Sequence, residues 1–378
     1  MIIELTEEQI RHKEEFRIFA ESKVLPFAKE HDVHERINPK VVQDIADMGY
    51  MGSMISKRYG GKQWDNITIG LLNEEIGKSC SAARVLLTVH GMVAIAISRW
   101  GTVEQKEKWL KLLAEGKKIG AFALSEPEVG SDAKNVQTTV IDDGDSFLLN
   151  GNKKWITMGQ IADVFVIFGQ LNGSVTAFLV EADTPGFSVK PMRGLLGAKG
   201  SMLAELHLDN CRIPKGNIIG KVGTGLTHIG LSCLDYGRYT VAWGCIGLAQ
   251  ACLEASVKYA SERKQFGDFL SSNQLIQKMI TEMTVNIKAA RLLCYQAGYL
   301  KDQGDPDSIM ETWNAKYFAS IITSKVANDA VQIHGGNGCH DSYPIERYFR
   351  DARINEIIEG TTQLHEMLIS RETFRQAL

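Results

Sequence analysis

The chain has 378 residues, 44% of them apolar, which is material for one large domain or up to three ordinary ones. A disordered tail protein and a disulfide-stapled mini-fold are both excluded. With 42 Lys and Arg against 45 Asp and Glu, the formal net charge of -3 lacks the basic excess of a dedicated nucleic-acid binder, although it is compatible with a local patch for a phosphorylated small molecule.

In chain order, Thr6-Glu-Glu-Gln9 is a capping box that opens a helix expected to reach about residue 30, and Thr102-Val-Glu-Gln105 opens another. Between them Ile69, Leu72 and Ile76, and then the apolar residues from Ala82 to Trp100, recur at helical spacing. From residue 119 the texture becomes β-like, with short runs at 119–124, 146–150, 164–168 and 175–180. Asn150-Gly151 and Asn172-Gly173 follow two of these runs and predict hairpin turns. Prolines at 185, 191 and 214 punctuate the rest, so an antiparallel, barrel-like sheet is expected to end near Asn217. Leu226 to Lys264, Gln274 to Gln303, Asp307 to His334 and Ile345 to Arg375 then read as four long helices of an antiparallel bundle. The expectation is an α+β, multi-domain chain: helices over 1–118, a β-barrel over 119–222 and a four-helix bundle over 223–378.

Several chemistries are excluded by pattern. The N-terminus has no basic stretch leading into an apolar core, and no run of about twenty apolar residues occurs, so neither a secretory signal nor a membrane span is expected. The seven cysteines form no C-x-x-C pair and read as reduced thiols of a cytoplasmic protein. Gly77-Lys78-Ser79 lacks the upstream glycine of a P-loop, His365-Glu366 lacks the second histidine of a zincin, and Cys339-His340 is too small a donor set for a metal. Neither a G-x-S-x-G elbow nor a G-x-G-x-x-G fingerprint is present.

Four segments combine glycine, hydroxyl and carboxylate chemistry. In Leu124-Ser-Glu-Pro-Glu-Val-Gly-Ser-Asp132, Pro127 ends a strand, Gly130 admits close backbone approach, and Ser125 and Ser131 supply donors; an ordinary turn reads the same way. Lys154-Trp-Ile-Thr157 puts an aromatic plane and a hydroxyl on one strand face, suited to a planar ring or to plain core. Glu262-Arg-Lys-Gln-Phe-Gly267 is either a solvated helix end or a pyrophosphate clasp. In Ile357-Ile-Glu-Gly-Thr-Thr-Gln363, Glu359 stands among apolar residues and glycine, where burial would raise its pKa toward that of a general base; a structural buried Glu would look the same. His90 is a lone helical histidine, read as packing before chamber lining.

These segments, with Val331-Gln-Ile-His-Gly-Gly-Asn-Gly338, closely resemble the acyl-CoA dehydrogenase family over essentially the whole chain. The resemblance implies a helical N-terminal domain, a β-barrel middle domain and a C-terminal four-helix bundle, with FAD as cofactor and oxidation of the Cα–Cβ bond of an acyl thioester. It implies Glu359 as the base for the α-proton, the β-hydrogen leaving as hydride to the flavin. Phe122, Leu124, Ser125, Gly130, Ser131, Trp155, Thr157, Thr361 and Gln363 would contact the flavin. Arg263, Gln265, Phe266 and Gln274 would meet the ADP half, with Gln332, Gly335 and Gly336 reaching that half from a second subunit of a homodimer or homotetramer. Ser131, Asp235, Arg238 and Gly360 would face the substrate, and an electron-transfer flavoprotein is the implied acceptor.

Departures from the commonest family pattern include Ser125 for Thr, which is conservative, Phe122 for Tyr, Glu128 for a small residue, Met158 for Asn and Ile358 for Tyr; Glu128 and Ile358, close to the acyl chamber the resemblance implies, suggest an unusual substrate. The hairpin at 168–174 is short, and the segment at 197–205 is similar to relatives that act on an acyl group held by an acyl carrier protein in secondary metabolism. That carrier therefore stands beside coenzyme A as a candidate. The same fold and segments would also suit a non-catalytic flavin-binding scaffold or an oxygen-using oxidase.

Overall fold

The computed structural model describes residues 4–377. Six helices come first: α1 (Glu7–Phe19), α2 (Ala28–Val33), α3 (Pro39–Asp47), α4 (Asn66–Ser79), α5 (Ser81–Trp100) and α6 (Val103–Ala114). Both expected capping boxes are formed. The hydroxyls of Thr6 and Thr102 each accept the N–H three residues on, and Gln9 and Gln105 reach back to the cap. The helix opened by Thr6 does not run straight to residue 30: after Phe19 it passes through a wider turn and a 3-10 turn containing Pro26 before α2. Every residue of α5 from Ser81 to Ile97 is buried, because the helix is wrapped on all sides.

The middle region carries β1 (Gly120–Ala123), β2 (Thr139–Asp143), β3 (Ser146–Ile156), β4 (Val164–Leu171), β5 (Ser174–Glu181), β6 (Phe187–Pro191), β7 (Ala204–Pro214) and β8 (Ile218–Ile219). The strand order is β6-β7-β3-β2-β4-β5-β8, and β1 pairs with β4. The expected closed antiparallel barrel is corrected: the sheet is open and mixed, since β1 and β2 both run parallel to β4. Its edges stop early, β8 after two residues and β6 at Pro191, which has no N–H to extend a ladder. Along β4, Val164, Val166 and Phe168 face the helical core while Phe165 and Ile167 face a second core on the other side. Cover on both faces explains why this strand reads as an unbroken apolar run.

One predicted turn is right and the other is corrected. Asn172 and Gly173, at φ 51° and 73°, form the tight β4–β5 connection. Asn150-Gly151 lies inside β3, at an irregularity in its pairing with β7, and the real β2–β3 turn is at Gly144. Gly151 is needed there for close approach, since a Cβ would stand 2.7 Å from the Thr138 hydroxyl.

The C-terminal part holds α7 (Leu231–Glu262), a small hairpin of β9 (Lys264–Gln265) and β10 (Asp268–Phe269), α8 (Gln274–Gln303), α9 (Ser308–His334), α10 (Ile345–Asn355) and α11 (Thr362–Ala377). The single helix expected over 345–375 is therefore two, and Glu359 sits in the break between them. Glu359 and Gly360 have φ of 56° and 100°, which no helix can contain. Two helices, Ser81–Trp100 and Gly225–Glu262, are long and apolar enough to cross a membrane, but 94% and 72% of their most apolar windows are buried inside the fold. They are core helices.

Candidate active site

The left-handed turn after α10 turns the Glu359 side chain back against α7. Its carboxylate lies where α7 carries Gly237: a Cβ there would be 2.2 Å from Oε2 and 2.6 Å from Cδ. Oε2 is sealed from solvent and has no hydrogen-bond partner among the described residues. Burial pushes the Glu359 carboxyl up to about 7, and the charges of Arg238, Lys316 and Arg84 pull it partly back. None of these cations bonds the carboxylate. Arg238 Nε donates to the Glu359 carbonyl at 3.0 Å, Lys316 Nζ donates to the Gly360 carbonyl at 2.7 Å, and Arg84 donates to Thr88 and to Asn355 Oδ1, the latter at 3.1 Å. The result is a carboxylate near neutrality with an oxygen free for a proton. Such a group can act as a general base.

A second group of residues gathers where β1 and β3 end. Phe122 packs edge-on against Phe168 with ring centres 5.0 Å apart, and Leu124 is buried. Ser125 accepts the Lys154 N–H through its carbonyl at 3.0 Å, so the two predicted segments are tied together. Beneath them Lys153, fully buried, donates to Glu126 Oε1 at 2.6 Å and to the Leu124 carbonyl at 3.3 Å. Glu126 in turn accepts from the N–H groups of Gln137 and Thr138 and from the Thr138 hydroxyl. Above this buried knot, Trp155 is 53% exposed at φ 64°, an indole held outward rather than packed into a core. Thr157 follows in the turn after β3. Gly130 and Ser131 are exposed, with open space where a Gly130 Cβ would stand.

The aromatic platform and the carboxylate are linked. Met158 N–H donates to Ser201 O at 2.9 Å, Ala198 N–H donates to Asp351 Oδ1 at 2.6 Å, and α10 runs on from Asp351 to Asn355, just before the turn that carries Glu359. Of the ten described non-glycine residues with positive φ, five lie on this path: Trp155, Met158, Ala198, Met202 and Glu359. Backbone strain of this kind gathers at functional sites.

The remaining expected residues fall elsewhere. Thr361, half-buried, precedes α11 and its hydroxyl accepts the Leu364 N–H, while Gln363 is exposed in the first turn. Asp235 is engaged by Lys301 in a partly buried ion pair with one oxygen left unpartnered, so only part of it is available to a ligand. Arg263, Gln265, Phe266 and Gln274 are all exposed around the β9–β10 hairpin, and the Phe266 side chain stands wholly free of the protein. Gln332, Gly335 and Gly336 lie at the C-terminal end of α9, where Asn337 Nδ2 donates to the Tyr259 hydroxyl at 2.8 Å. They precede α10 while Glu359 follows it, and eleven residues of helix span about 16 Å. The chain does not bring them to its own carboxylate. His90 is settled as packing: it is fully buried, with Nε2 against Leu113 O at 3.1 Å and Nδ1 accepting from Gly120 N–H.

Sequence reasoning misses Gly237, Lys316, Arg84 and the Lys153–Glu126 pair. An isolated glycine inside the helical pattern around 237 is the one available sign, since it marks a close approach. The buried cations give no periodic signal, because each sits among apolar neighbours only in three dimensions.

Fold and site together define a shielded carboxylate able to accept a proton, set within a helix–sheet–helix chain. Family models for the acyl-CoA dehydrogenase N-terminal, middle and C-terminal domains match residues 6–117, 121–211 and 223–374. A short-chain-specific acyl-CoA dehydrogenase of Clostridium acetobutylicum is 38% identical, covering 99% of this chain and 100% of the relative. The butyryl-CoA dehydrogenase structure from Megasphaera elsdenii superposes with a TM-score of 0.95 at 34% identity, over 99% of this chain and 100% of that one. The structure of the prolyl acyl carrier protein oxidase AnaB is also similar, with TM-score 0.94 at 29% identity, over 98% and 100%. The chain belongs to the acyl-CoA dehydrogenase family, whose members are flavin-dependent oxidoreductases.

Proposed function

We propose that this protein is an FAD-dependent dehydrogenase that introduces a double bond between Cα and Cβ of an acyl thioester. The observation that carries the reading is the buried, unpartnered Oε2 of Glu359 in a site rich in positive charge. The residues present fit the cofactor. Phe266 is an aromatic side chain wholly free of the protein, Trp155 is half-exposed with the Lys154 ammonium near its ring, and Gly130, Gly335 and Gly336 leave open space where a side chain would stand. Phe122, Leu124, Ser125, Ser131, Trp155, Thr157, Thr361 and Gln363 would hold the flavin, with Arg263, Gln265, Phe266 and Gln274 on its ADP half. When bound, FAD supplies the acceptor for the β-hydrogen and its electron pair.

The chain's own part is proton chemistry. Glu359, ionised above about pH 7, takes the α-proton. Its backbone N–H follows the end of α10 and has no partner among the described residues, so it is free to donate to the thioester carbonyl as negative charge develops there. Asp235, Arg238, Gly360 and Ser131 border the substrate side. By the resemblance to the family, Gln332, Gly335 and Gly336 would serve the cofactor of a neighbouring copy, in a homodimer or homotetramer. Seven free cysteines, six of them buried, suit a reducing cytoplasm. An electron-transfer flavoprotein is the fitting acceptor.

Coenzyme A is the first choice of carrier. An acyl carrier protein is the second reading, favoured by the tight two-residue turn at Asn172-Gly173, which leaves little loop to border a nucleotide. Anaerobic titration of the yellow protein with a panel of acyl thioesters tests the function, and bleaching of the flavin absorbance is expected. A flavin that no thioester bleaches would point to a scaffold, and rapid aerobic reoxidation with peroxide release to an oxidase. One acyl group presented on either carrier separates the two readings by turnover.

A further inference from the structure

Lys316 is a buried cation to which the proton chemistry assigns no task. It lies on α9 with 0% exposure, and no carboxylate stands within ion-pair distance of its ammonium among the described residues. Its one hydrogen bond among the described residues is the 2.7 Å contact to the Gly360 carbonyl. Sealing an ammonium from water costs several kcal/mol, and burial drags this one down to about 8. A methionine would fill the same space at no such cost, so packing does not explain it.

What Lys316 does hold is the turn that carries Glu359. Two consecutive carbonyls of that left-handed turn, Glu359 O and Gly360 O, are each taken by a cation, Arg238 on the first and Lys316 on the second. With φ of 56° at a non-glycine residue, the turn is unfavourable by about 1 kcal/mol or more unless something holds it. We propose, on the reading of Glu359 as the base, that Lys316 is its positioning residue: it fixes the Gly360 carbonyl so that the carboxylate stays in the Gly237 notch, and its charge keeps that carboxylate ionised without occupying either oxygen.

The other groups facing Glu359 do not duplicate this. Arg84, from α5, is spent on Asn355 and Thr88. Arg238, from α7, is set against Glu359's own carbonyl and is balanced from behind by Asp235. His365, from α11, has Nδ1 against the Thr361 carbonyl at 3.0 Å and is kept neutral by burial, near 4. Glu356, just before the turn, is engaged by Ser324 at 2.6 Å and Arg353 at 3.2 Å.

The test uses FAD-loaded Lys316→Met and Lys316→Arg enzymes, with kcat/KM followed against pH on a thioester that bleaches the wild-type flavin. In Lys316→Met the acid limb moves up by about one pH unit or more, so turnover at pH 7 falls about fivefold or more while the flavin spectrum and FAD affinity stay as in the wild type. Lys316→Arg, which keeps the charge, returns the limb to its wild-type position with reduced kcat. A folded Lys316→Met enzyme whose acid limb has not moved overturns the inference. Should that variant not fold, Lys316→Arg decides alone, and an acid limb displaced upward despite the retained charge overturns it. Glu359→Gln is measured beside them. If that variant still turns over, the base assignment itself has failed; if it is inactive while the Lys316→Met limb stays put, only the role of Lys316 has failed.

Discussion

Replacing Glu359 by Gln should make the protein more stable, and only above a certain pH. In the folded chain the carboxyl ionises near 7 instead of 4.5, because sealing it in the Gly237 notch costs more than Arg238, Lys316 and Arg84 return. A carboxyl whose folded pKa is raised binds its proton more tightly folded than unfolded. Its favourable contribution is therefore complete below about 4.5, and it is lost as pH rises through about 7. At about 1.4 kcal/mol per pH unit, the gap between those values corresponds to roughly 3 kcal/mol of destabilisation at pH 8 and under about 1 kcal/mol at pH 5. Glutamine is a neutral isostere, so Glu359→Gln should gain roughly 3 kcal/mol over the wild type at pH 8 and little at pH 5. Urea unfolding of FAD-saturated protein at the two pH values measures it, with thioester oxidation by the same variant expected to be nearly abolished. A stability gain equal at both pH values, or a loss at pH 8, would refute the claim that this carboxylate is held in a desolvated site.

Gly237→Ala tests the same notch sterically: its methyl would stand 2.2 Å from Oε2, so the carboxylate must swing out, and turnover should fall about a hundredfold with flavin absorbance retained. Lys153→Met leaves the buried Glu126 without its counter-charge, so stability should drop by about 3–5 kcal/mol and FAD should leave more readily on dialysis. The double variant Lys153→Met with Glu126→Gln should recover much of that stability, as a chemical denaturation cycle would show. Thr102→Ala removes a formed capping box far from the site and should cost about 1 kcal/mol in thermal unfolding with kcat/KM unchanged.

What could be seen beforehand in the one-dimensional pattern was whatever repeats locally. The caps at Thr6 and Thr102, the helices around Ile69–Ile76 and from Ala82 to Trp100, and the Asn172-Gly173 turn all depend on neighbours within a few positions, and these formed as expected. The misses share one cause. Asn150-Gly151 has the local chemistry of a turn, but Thr138 presses on Gly151 from a strand away and turns the glycine to a different use. A barrel-like sheet is what the short β runs and the family resemblance lead one to expect, whereas the pairing of β1 and β2 alongside β4 and the short edge strands are long-range matters that leave it open. The helix expected over 345–375 breaks at Glu359 even though its apolar spacing continues, because Arg238 and Lys316, 121 and 44 positions away, take the carbonyls that a continuing helix would have used.

Locality also explains why the base could be named while its surroundings could not. Glu359 announces itself as an acid among isoleucines, a conflict visible within one turn of chain. The forces that make it a base come from α5, α7 and α9 through side chains that look unremarkable in their own helices: an arginine at 84 after small residues, a glycine at 237, a lysine at 316 beside an alanine. Each violates a local preference, burying a charge or weakening a helix, and the violations meet at one carboxylate. Separately they would be costs scattered through three helices. Only their convergence turns them into an environment in which a carboxyl group ionises near 7 with an oxygen left bare.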